Sequence, residues 1–307
     1  MVFKHKVVPF LVMVIMGNGC FMMMASKAQN WSQQPHAATK AQPIAFNGGT
    51  ISSPGSYKLA APLTGTGPLI TISASNVTLD LNGEEVAVTS GSGNGIVIDT
   101  TAATRTNIEI RSGFLSGNGL AGSGIAITGA SQVTNLKLYD LTLYTWATAI
   151  NLAGTGGGVV DVIVDDCVAS GNTLGYDLGA VGGLTMRNCV ASVGSKGFFN
   201  SAGARQVAIE NCVASANSGT GFDMGVAGSG VFTNCLAIEN SFVTSTGFGF
   251  NTPALSGGAS TWDYVNCIAK ANGNNPANTT TPVNLTDTNY AVNTDPSLIC
   301  RPCLCKI

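Results

Sequence analysis

Two aspartates occupy equivalent positions in a repeated phrase, where they could serve as the acid and base of a hydrolase. The phrase has the form glycine, apolar, x, apolar, and x is Asp177 in one copy and Asp223 two copies later. If successive copies are strands about 4.8 Å apart, the two carboxylates lie about 9.6 Å apart. That distance is at the upper edge of the roughly 6.5–9.5 Å that inverting glycoside hydrolases use. Period two places x on the solvent side, where isolated aspartates more often only solvate a sheet.

The other x residues define what a substrate would meet on this outward row. Phe199 lies between the two aspartates and offers a ring for stacking on a sugar, and Asn151 offers an amide, so both are candidate substrate contacts. The full predicted row is Val97, Ala126, Asn151, Asp177, Phe199, Asp223 and Gly249.

A second outward row carries charges of alternating sign. Asp165, Arg187 and Glu210 occupy equivalent positions in three successive strands, which predicts a cross-strand ion-pair ladder of low energy at a surface. The alternative is a polysaccharide lyase, in which Arg187 abstracts the proton and acids hold calcium. Asp165 and Glu210 are then substrate contacts, and calcium is expected only in that case.

Histidine and overall charge exclude several classes of function. The only histidines are His5 and His36, both ahead of the repeats, so the repeats can form neither a Ser-His-Asp nor a Cys-His apparatus, nor a histidine-bound zinc site. Fourteen basic against sixteen acidic residues, with no basic run, leave no electrostatic footprint for nucleic acid. We therefore expect no nucleic-acid partner, no metal site and no cofactor.

The elements that position these residues are set by a repeat. A phrase of Asn or Asp, then Cys, an apolar residue and Ala recurs at Cys167, Cys189, Cys212, Cys235 and Cys267, in steps of 22, 23, 23 and 32 residues. Such a period is typical of a solenoid. Short stretches of period two recur between Gly, Ser and Asn turns, and no stretch after residue 30 has a helical period. The prediction is an all-β parallel coil of about eight turns, with the Pro54-Gly55 turn in an N-terminal cap.

The coil predicts the environment of the repeated cysteines. Stacked in one column, their Cβ atoms lie about 4.8 Å apart, beyond the usual 3.5–4.5 Å of a disulfide. We therefore expect free thiols that fill a narrow bend. By contrast, Cys300, Cys303 and Cys305 near the C-terminus are expected to form disulfides, with metal binding as the alternative.

Several motifs resemble one family. The stretch Asn76-Val77-Thr78-Leu79-Asp80-Leu81-Asn82-Gly83, with the Asn-Cys repeats, is similar to the pectate-lyase-like right-handed parallel β-helix superfamily over roughly residues 47–272. The resemblance implies a right-handed solenoid, and an asparagine ladder at the bend formed by Asn188, Asn211, Asn234 and Asn266 with Asp140 and Asp166 as variants. It implies no single chemistry, because the superfamily contains enzymes, adhesins and members without known activity. The Gly-His-Gly element of its polygalacturonases is absent.

The termini differ from the repeats. Residues 1–28 have a basic start, an apolar run and a small-residue cleavage site, which predicts an export signal and no membrane span after its removal. A lipoprotein anchored through Cys20 is the alternative. Residues 29–46 are predicted to be a linker, 47–272 the coil with its cap, and 273–307 a tail that contains cysteines.

The sequence thus favours a secreted or cell-surface protein that binds extended polysaccharide or a cell-surface glycan, as a binding or structural module. The alternative is a polysaccharide-active enzyme, either a lyase or an inverting hydrolase, with Asp177, Asp223 and Arg187 as the catalytic residues of a shallow site. Short Gly, Ala and Ser connections between most strands disfavour a deep catalytic cleft.

Overall fold

The structure, a computed structural model, describes residues 42–119, 122–154, 156, 158–240, 248–251, 261–270 and 272. The predicted signal segment, most of the predicted linker and the predicted tail lie outside these residues. In the part that is described, all regular structure is β-strand.

The strands are short and follow one another with tight connections. Up to the middle of the chain they are β1 (Ile44–Phe46), β2 (Gly49–Ile51), β3 (Gly55–Leu59), β4 (Leu63–Gly65), β5 (Ile70–Ile72), β6 (Val77–Asp80), β7 (Glu85–Val88), β8 (Ile96–Asp99), β9 (Arg105–Ser116), β10 (Ser123–Thr128), β11 (Val133–Tyr144) and β12 (Thr148–Asn151). The remaining strands are β13 (Val159–Asp165), β14 (Val168–Ser170), β15 (Leu174–Asp177), β16 (Gly182–Arg187), β17 (Val190–Ser192), β18 (Lys196–Phe199), β19 (Arg205–Glu210), β20 (Val213–Ser215), β21 (Phe222–Asp223), β22 (Ser229–Thr233), β23 (Leu236–Ile238), β24 (Phe250–Asn251), β25 (Thr261–Val265) and β26 (Ile268–Lys270).

The strands stack in parallel on three faces of a right-handed solenoid. The chain passes from face 1 around a bend to face 2, then to face 3, and returns to face 1 one rung further on. Face 1 contains β1, β3, β6, the first halves of β9 and β11, β13, β16, β19, β22 and β25. Face 2 contains β4, β7, the second halves of β9 and β11, β14, β17, β20, β23 and β26. Face 3 contains β2, β5, β8, β10, β12, β15, β18, β21 and β24.

This architecture confirms the predicted all-β parallel coil. The strands make about seven full turns, close to the eight that the repeats predict. The predicted cap element, the Pro54-Gly55 turn, connects β2 to β3, and both strands are rungs of the coil: β3 pairs in parallel with β1, and β2 with β5. Strand β1 is the first described rung of face 1, although Ile44–Phe46 fall within the segment 29–46 that was predicted to be a linker.

The core fills the interior of the coil because every strand turns alternate residues inward. On face 1 the inward pairs match the predicted ones in register, as in Val162 and Val164 above Leu184 and Met186. On face 3 a column of aromatic rings stacks along the coil, with ring centroids of Tyr176, Phe198 and Phe222 4.8 and 4.6 Å apart. The predicted next ring, Phe248, is wrong: Phe250 lies 4.7 Å from Phe222.

The bend between faces 1 and 2 is formed as the asparagine ladder requires. Asp140, Asp166, Asn188, Asn211, Asn234 and Asn266 all have φ between 50° and 54°. Asparagine and aspartate tolerate this left-handed conformation better than other residues with a side chain. The Asn234 amide also donates to the Asn211 oxygen one rung below, at 3.3 Å. This ladder fixes where each turn leaves face 1 and therefore the register of the outward rows.

Candidate functional site

The outward row on face 3 is in the predicted register, except at its end. Asn151 pairs with Asp177, Asp177 with Phe199, and Phe199 with Asp223. The position assigned to Gly249 is occupied by Asn251, which pairs with Asp223. The correction is a shift of two residues, in agreement with the shift of the aromatic column.

The prediction that this row faces open solvent is wrong for its two aspartates, and also for Val97 and Ala126, which are buried. Asp177 is only 8% exposed and Asp223 only 7%. Neighbouring residues cover both carboxylates, and these residues also occupy the carboxylate oxygens. At these two aspartates the x position therefore lies on the outer side of the strand, but its side chain is not available to a ligand.

Asp177 is held by a turn and a neighbouring hydroxyl. One carboxylate oxygen, Oδ1, accepts from the Gly179 backbone N–H at 3.1 Å and from the Ser201 hydroxyl at 2.5 Å. Asn151, one rung below, makes the same local bond, accepting from the Ala153 N–H at 2.9 Å. The shared geometry is an Asx-turn, in which the side chain caps the turn that ends its strand.

Asp223 has the same turn and an ion pair. Its Oδ1 accepts from the Gly225 N–H at 3.3 Å and from the Asn251 amide at 2.7 Å. Its Oδ2 lies 2.7 Å from the Lys196 ammonium. Both oxygens of the Asp223 carboxylate are therefore already engaged by neighbouring groups of the protein.

Phe199 stacks on Lys196. The ammonium lies 3.9 Å from the centroid of the ring, within the range of a cation–π contact. One face of the ring is therefore occupied, and a sugar could stack only on the other. Lys196 thus links Phe199 to Asp223 in one compact cluster on face 3.

The outward row on face 1 is in the predicted register and is more exposed. Its members pair rung by rung: Asp80 with Arg111, then Tyr139, Asp165, Arg187, Glu210 and Thr233. Arg187 and Glu210 form an ion pair at 3.0 Å, with side chains 49% and 39% exposed. The Arg187 guanidinium is therefore engaged by Glu210 and is less available to a substrate as the base of a lyase.

The predicted ladder is interrupted at Asp165. In the described part of the chain, the ion pairs of this row join Arg187 to Glu210 and Arg111 to Asp80 and Glu109, and none reaches Asp165. Asp165 instead accepts a hydrogen bond from the Asn188 amide at 3.3 Å. Burial, together with the negative charge of Asp166, raises the pKa of Asp165. Asp165 is thus a carboxylate without a cationic contact.

Tyr139 lies directly beside Asp165 in the row. Its pKa is raised by burial and by the charges of Glu109 and Asp165, while Arg187 opposes the shift. These four side chains therefore share one electrostatic environment. An aromatic ring next to hydrogen-bonding polar groups on a continuous sheet is an arrangement that can hold a hydroxyl-rich ligand.

The repeated cysteines line the interior as a column of free thiols, as predicted. Each thiol lies 3.1–3.5 Å from the carbonyl oxygen two residues before it. Among the described residues, no group of three or more His, Cys, Asp or Glu side chains is placed to hold a metal ion.

Sequence reasoning missed a second asparagine ladder, inside the coil. Asn172, Asn217, Asn240 and Asn272 are at most 3% exposed. The Asn217 amide donates to the Asn240 oxygen at 2.8 Å, and the Asn240 amide donates to the Asn272 oxygen at 2.8 Å. A signal for this ladder was present, since each of these asparagines follows a column cysteine by five residues. In the remaining turn Gly194 takes the place, and its N–H donates to Asn217.

Comparison with known proteins agrees with this architecture. The sequence family described as "Right handed beta helix region" matches residues 123–290, more than half of the chain. The chain therefore belongs to the right-handed β-helix family. A solved structure described as "Crystal structure of pectate lyase Pel9A" is similar at 16% sequence identity and a TM-score of 0.35, covering 80% of this chain and 75% of that one. No curated protein matches the chain. In the described residues, no helix has the length and hydrophobicity needed to cross a bilayer.

Proposed function

We propose that this protein is an exported, non-catalytic β-helix that binds an extended polysaccharide or a cell-surface glycan, outside the cell or at its surface. The observation that supports this most directly is the outward row of Tyr139, Asp165, Arg187 and Glu210 on four successive rungs of face 1, in which Arg187 is exposed and the other three are half-buried. An extended polymer has a repeating hydroxyl surface, and this row presents polar groups at one regular spacing of about 4.8 Å. Export rests on the basic and apolar pattern of residues 1–28.

Binding is favoured over catalysis by the state of the three candidate catalytic residues. Asp177 and Asp223 cap turns and are almost fully covered, while Arg187 is paired with Glu210. Groups that already have partners can position or bind a ligand more readily than they can exchange protons with it. Arg187 and Glu210 are therefore assigned to glycan contact, together with Tyr139 and Asp165.

Asn151 and Phe199 remain a second proposed contact surface, on face 3. The ring of Phe199 has one face free of Lys196, which allows a single sugar to stack there. This surface and the row on face 1 can be tested separately, because they lie on different sheets.

The test is a panel of anionic and neutral polysaccharides, with and without calcium, scored for both retention and cleavage. Tyr139→Ala is expected to weaken retention about two- to tenfold, since an aromatic contact contributes about 0.5–1.5 kcal/mol. Tyr144→Ala is the matched control, because this tyrosine is 36% exposed but lies on face 2. Phe199→Ala reports on the surface of face 3.

Three results would contradict the proposal. Absence of retention by any polysaccharide removes the binding function. Equal losses in Tyr139→Ala and Tyr144→Ala remove face 1 as the site. Cleavage that is lost in Asp177→Asn or Asp223→Asn, or calcium-dependent cleavage that is lost in Arg187→Ala, establishes the enzyme instead.

A further inference from the structure

The cysteine column is a set of five thiols at one spacing inside the coil. Cys167, Cys189, Cys212, Cys235 and Cys267 follow one another on consecutive rungs, and the residues that come directly after them pair in register. Cys167, Cys189 and Cys212 are 0% exposed, Cys235 is 1% and Cys267 is 9%. The binding surfaces proposed above do not use these groups.

All five thiols are free. Parallel rungs about 4.8 Å apart hold the side chains side by side, and this spacing exceeds the roughly 3.5–4.5 Å between the Cβ atoms of a disulfide. The neighbouring Cys189 thiol, through hydrogen bonding, and burial together raise the pKa of Cys167 well above the ordinary thiol value. The column is therefore a row of buried sulfurs that influence one another's ionisation but lie too far apart to join as disulfides.

The spacing that prevents a disulfide suits a metal ion between two sulfurs. Two metal–thiolate bonds of about 2.3 Å placed in line span about 4.6 Å, and the rungs supply about 4.8 Å. Only ions that accept two soft ligands in line fit such a gap, because neither three nor four cysteines converge on one point in the column. Soft thiolate ligands favour ions of this kind, such as Cu(I).

We propose that adjacent thiols of the cysteine column form two-coordinate sites for thiophilic d10 cations, namely Cu(I), Ag(I) and Hg(II). Each ion lies between the Sγ atoms of two neighbouring rungs. Five thiols provide two such sites if no sulfur is shared, with one thiol left over.

Charge neutrality decides the protonation state of each site. Hg(II) displaces both thiol protons to solvent and forms two Hg–S bonds, and the product is neutral. A monovalent ion displaces one proton and binds one thiolate and one thiol, which is also neutral. Neutral products matter because an uncompensated charge in this core would be strongly unfavourable, and proton release accompanies binding.

Access to the column is restricted along its whole length. Among the described residues the column cysteines are 0–9% exposed, with Cys267 the most exposed. Small ions are therefore better able to reach the thiols than bulky thiol reagents are.

The test compares two variants that hold the same number of thiols at different spacings. Both are made in a background in which Cys20, Cys300, Cys303 and Cys305 are serine, so that only the column reacts. In the consecutive variant, Cys167→Ala and Cys267→Ala leave three adjacent thiols. In the spaced variant, Cys189→Ala and Cys235→Ala leave three thiols about 9.6 Å apart, two rungs each. Circular dichroism checks that both are folded.

Folded protein is incubated with Hg(II) or, in a separate experiment, with Ag(I), in the presence of a non-thiol reductant. Excess free cysteine is then added to remove weakly bound metal. The metal that remains bound is measured by native mass spectrometry and by thiolate charge-transfer absorption. The consecutive variant is expected to retain one ion, and the spaced variant at least tenfold less. Equal retention by the two variants, or no retention by the consecutive one, would overturn the proposal.

The unmodified column in the same background gives a second measurement that needs no alanine. We expect it to retain two Hg(II) ions. Five ions would mean that each thiol binds independently, and none would mean that the column excludes metal. Either result would overturn the proposal whether or not the alanine variants fold.

Discussion

Replacing Asp223 distinguishes a structural carboxylate from a catalytic one. Asp223→Ala removes the ion pair with Lys196 at 2.7 Å, the bond from the Asn251 amide at 2.7 Å and the turn bond from Gly225 at 3.3 Å. Asp223→Asn removes only the charge, because the amide oxygen can still accept from Asn251 and Gly225. The two substitutions therefore remove different parts of the same set of contacts.

The magnitude follows from those contacts. A hydrogen bond to a charged group contributes about 1.5–3 kcal/mol, and a neutral one contributes about 1 kcal/mol. The Lys196 side chain is 33% exposed, so water replaces part of its pairing and we assign this contact about 1 kcal/mol. Asp223→Ala loses two bonds to a charged group and the ion pair, so it should cost about 4–7 kcal/mol. Asp223→Asn keeps two neutral bonds of about 1 kcal/mol each and should cost about 2 kcal/mol less. At about 2–4 °C per kcal/mol for a body of this size, the Tm of the Asn variant should lie about 4–8 °C above that of the Ala variant.

The assay is thermal unfolding followed by circular dichroism, with Lys196→Met as a third variant. The double variant Asp223→Asn, Lys196→Met should lose less stability than the two single changes together, since the pair couples by about 1 kcal/mol. Equal losses for alanine and asparagine at position 223 would refute the structural reasoning. So would unchanged Tm in both variants together with loss of glycan cleavage, which is the pattern of a catalytic acid or base.

Three further predictions concern the interior and the bend. Asn240→Ala leaves the Ala214 carbonyl and the Asn217 backbone N–H without their hydrogen bonds. It should therefore lower the free energy of unfolding, measured in urea, by about 2–4 kcal/mol. Asn234→Gly, in the exposed ladder at the bend, should lower it by less than about 1 kcal/mol. A bulky aromatic disulfide reagent should modify none of the five column thiols in the native protein and all of them in denaturant, because they are at most 9% exposed; rapid labelling of native protein would contradict the packing. The pKa of Asp165 is raised in the folded protein, so stability falls as pH rises from the ordinary carboxyl pKa through the raised one. Asp165→Asn should therefore raise Tm at neutral pH and have no such effect at pH 3. An equal change of Tm at both pH values would show that the raised pKa of Asp165 is not the cause.

The register of face 1 was predictable because its inward pairs are unambiguous. A slip of one residue would turn Val162 and Val164 toward solvent, so the hydrophobic pattern permits a single alignment. The same argument fails at the end of face 3, where the sequence reads Gly247-Phe248-Gly249-Phe250. This segment looks the same after a shift of two residues, and such a shift keeps every side chain on its own face. Only the three-dimensional pairing of Asn251 with Asp223 identifies Phe250 as the stacked ring.

The exposure of the outward rows was not predictable from alternation. The alternation of apolar and polar residues shows on which side of the strand a residue lies. It does not show whether the side chains on the neighbouring rungs cover that residue. On face 3 the neighbours are Ser201, Lys196 and Asn251, and they cover Asp177 and Asp223. Their contacts depend on the turns at the strand ends, where the chain direction changes and sequence pattern carries least information.

A solenoid places a functional constraint on its own surface, since every outward side chain has neighbours one rung above and below. Those neighbours provide hydrogen-bond and ion-pair partners without any loop having to become ordered. A polar group within a row is therefore usually bonded to other groups of the protein. A charged group whose neighbouring counter-ion pairs elsewhere keeps a charge that a ligand can still meet. Asp165 is such a group: it accepts a hydrogen bond from the Asn188 amide, but Arg187, the next residue in its row, pairs with Glu210. Because Asp165 lies between Tyr139 and Arg187, this carboxylate without an ion pair adjoins the aromatic side chain of the row. Ligand binding should therefore centre on face 1, away from the satisfied carboxylates of face 3.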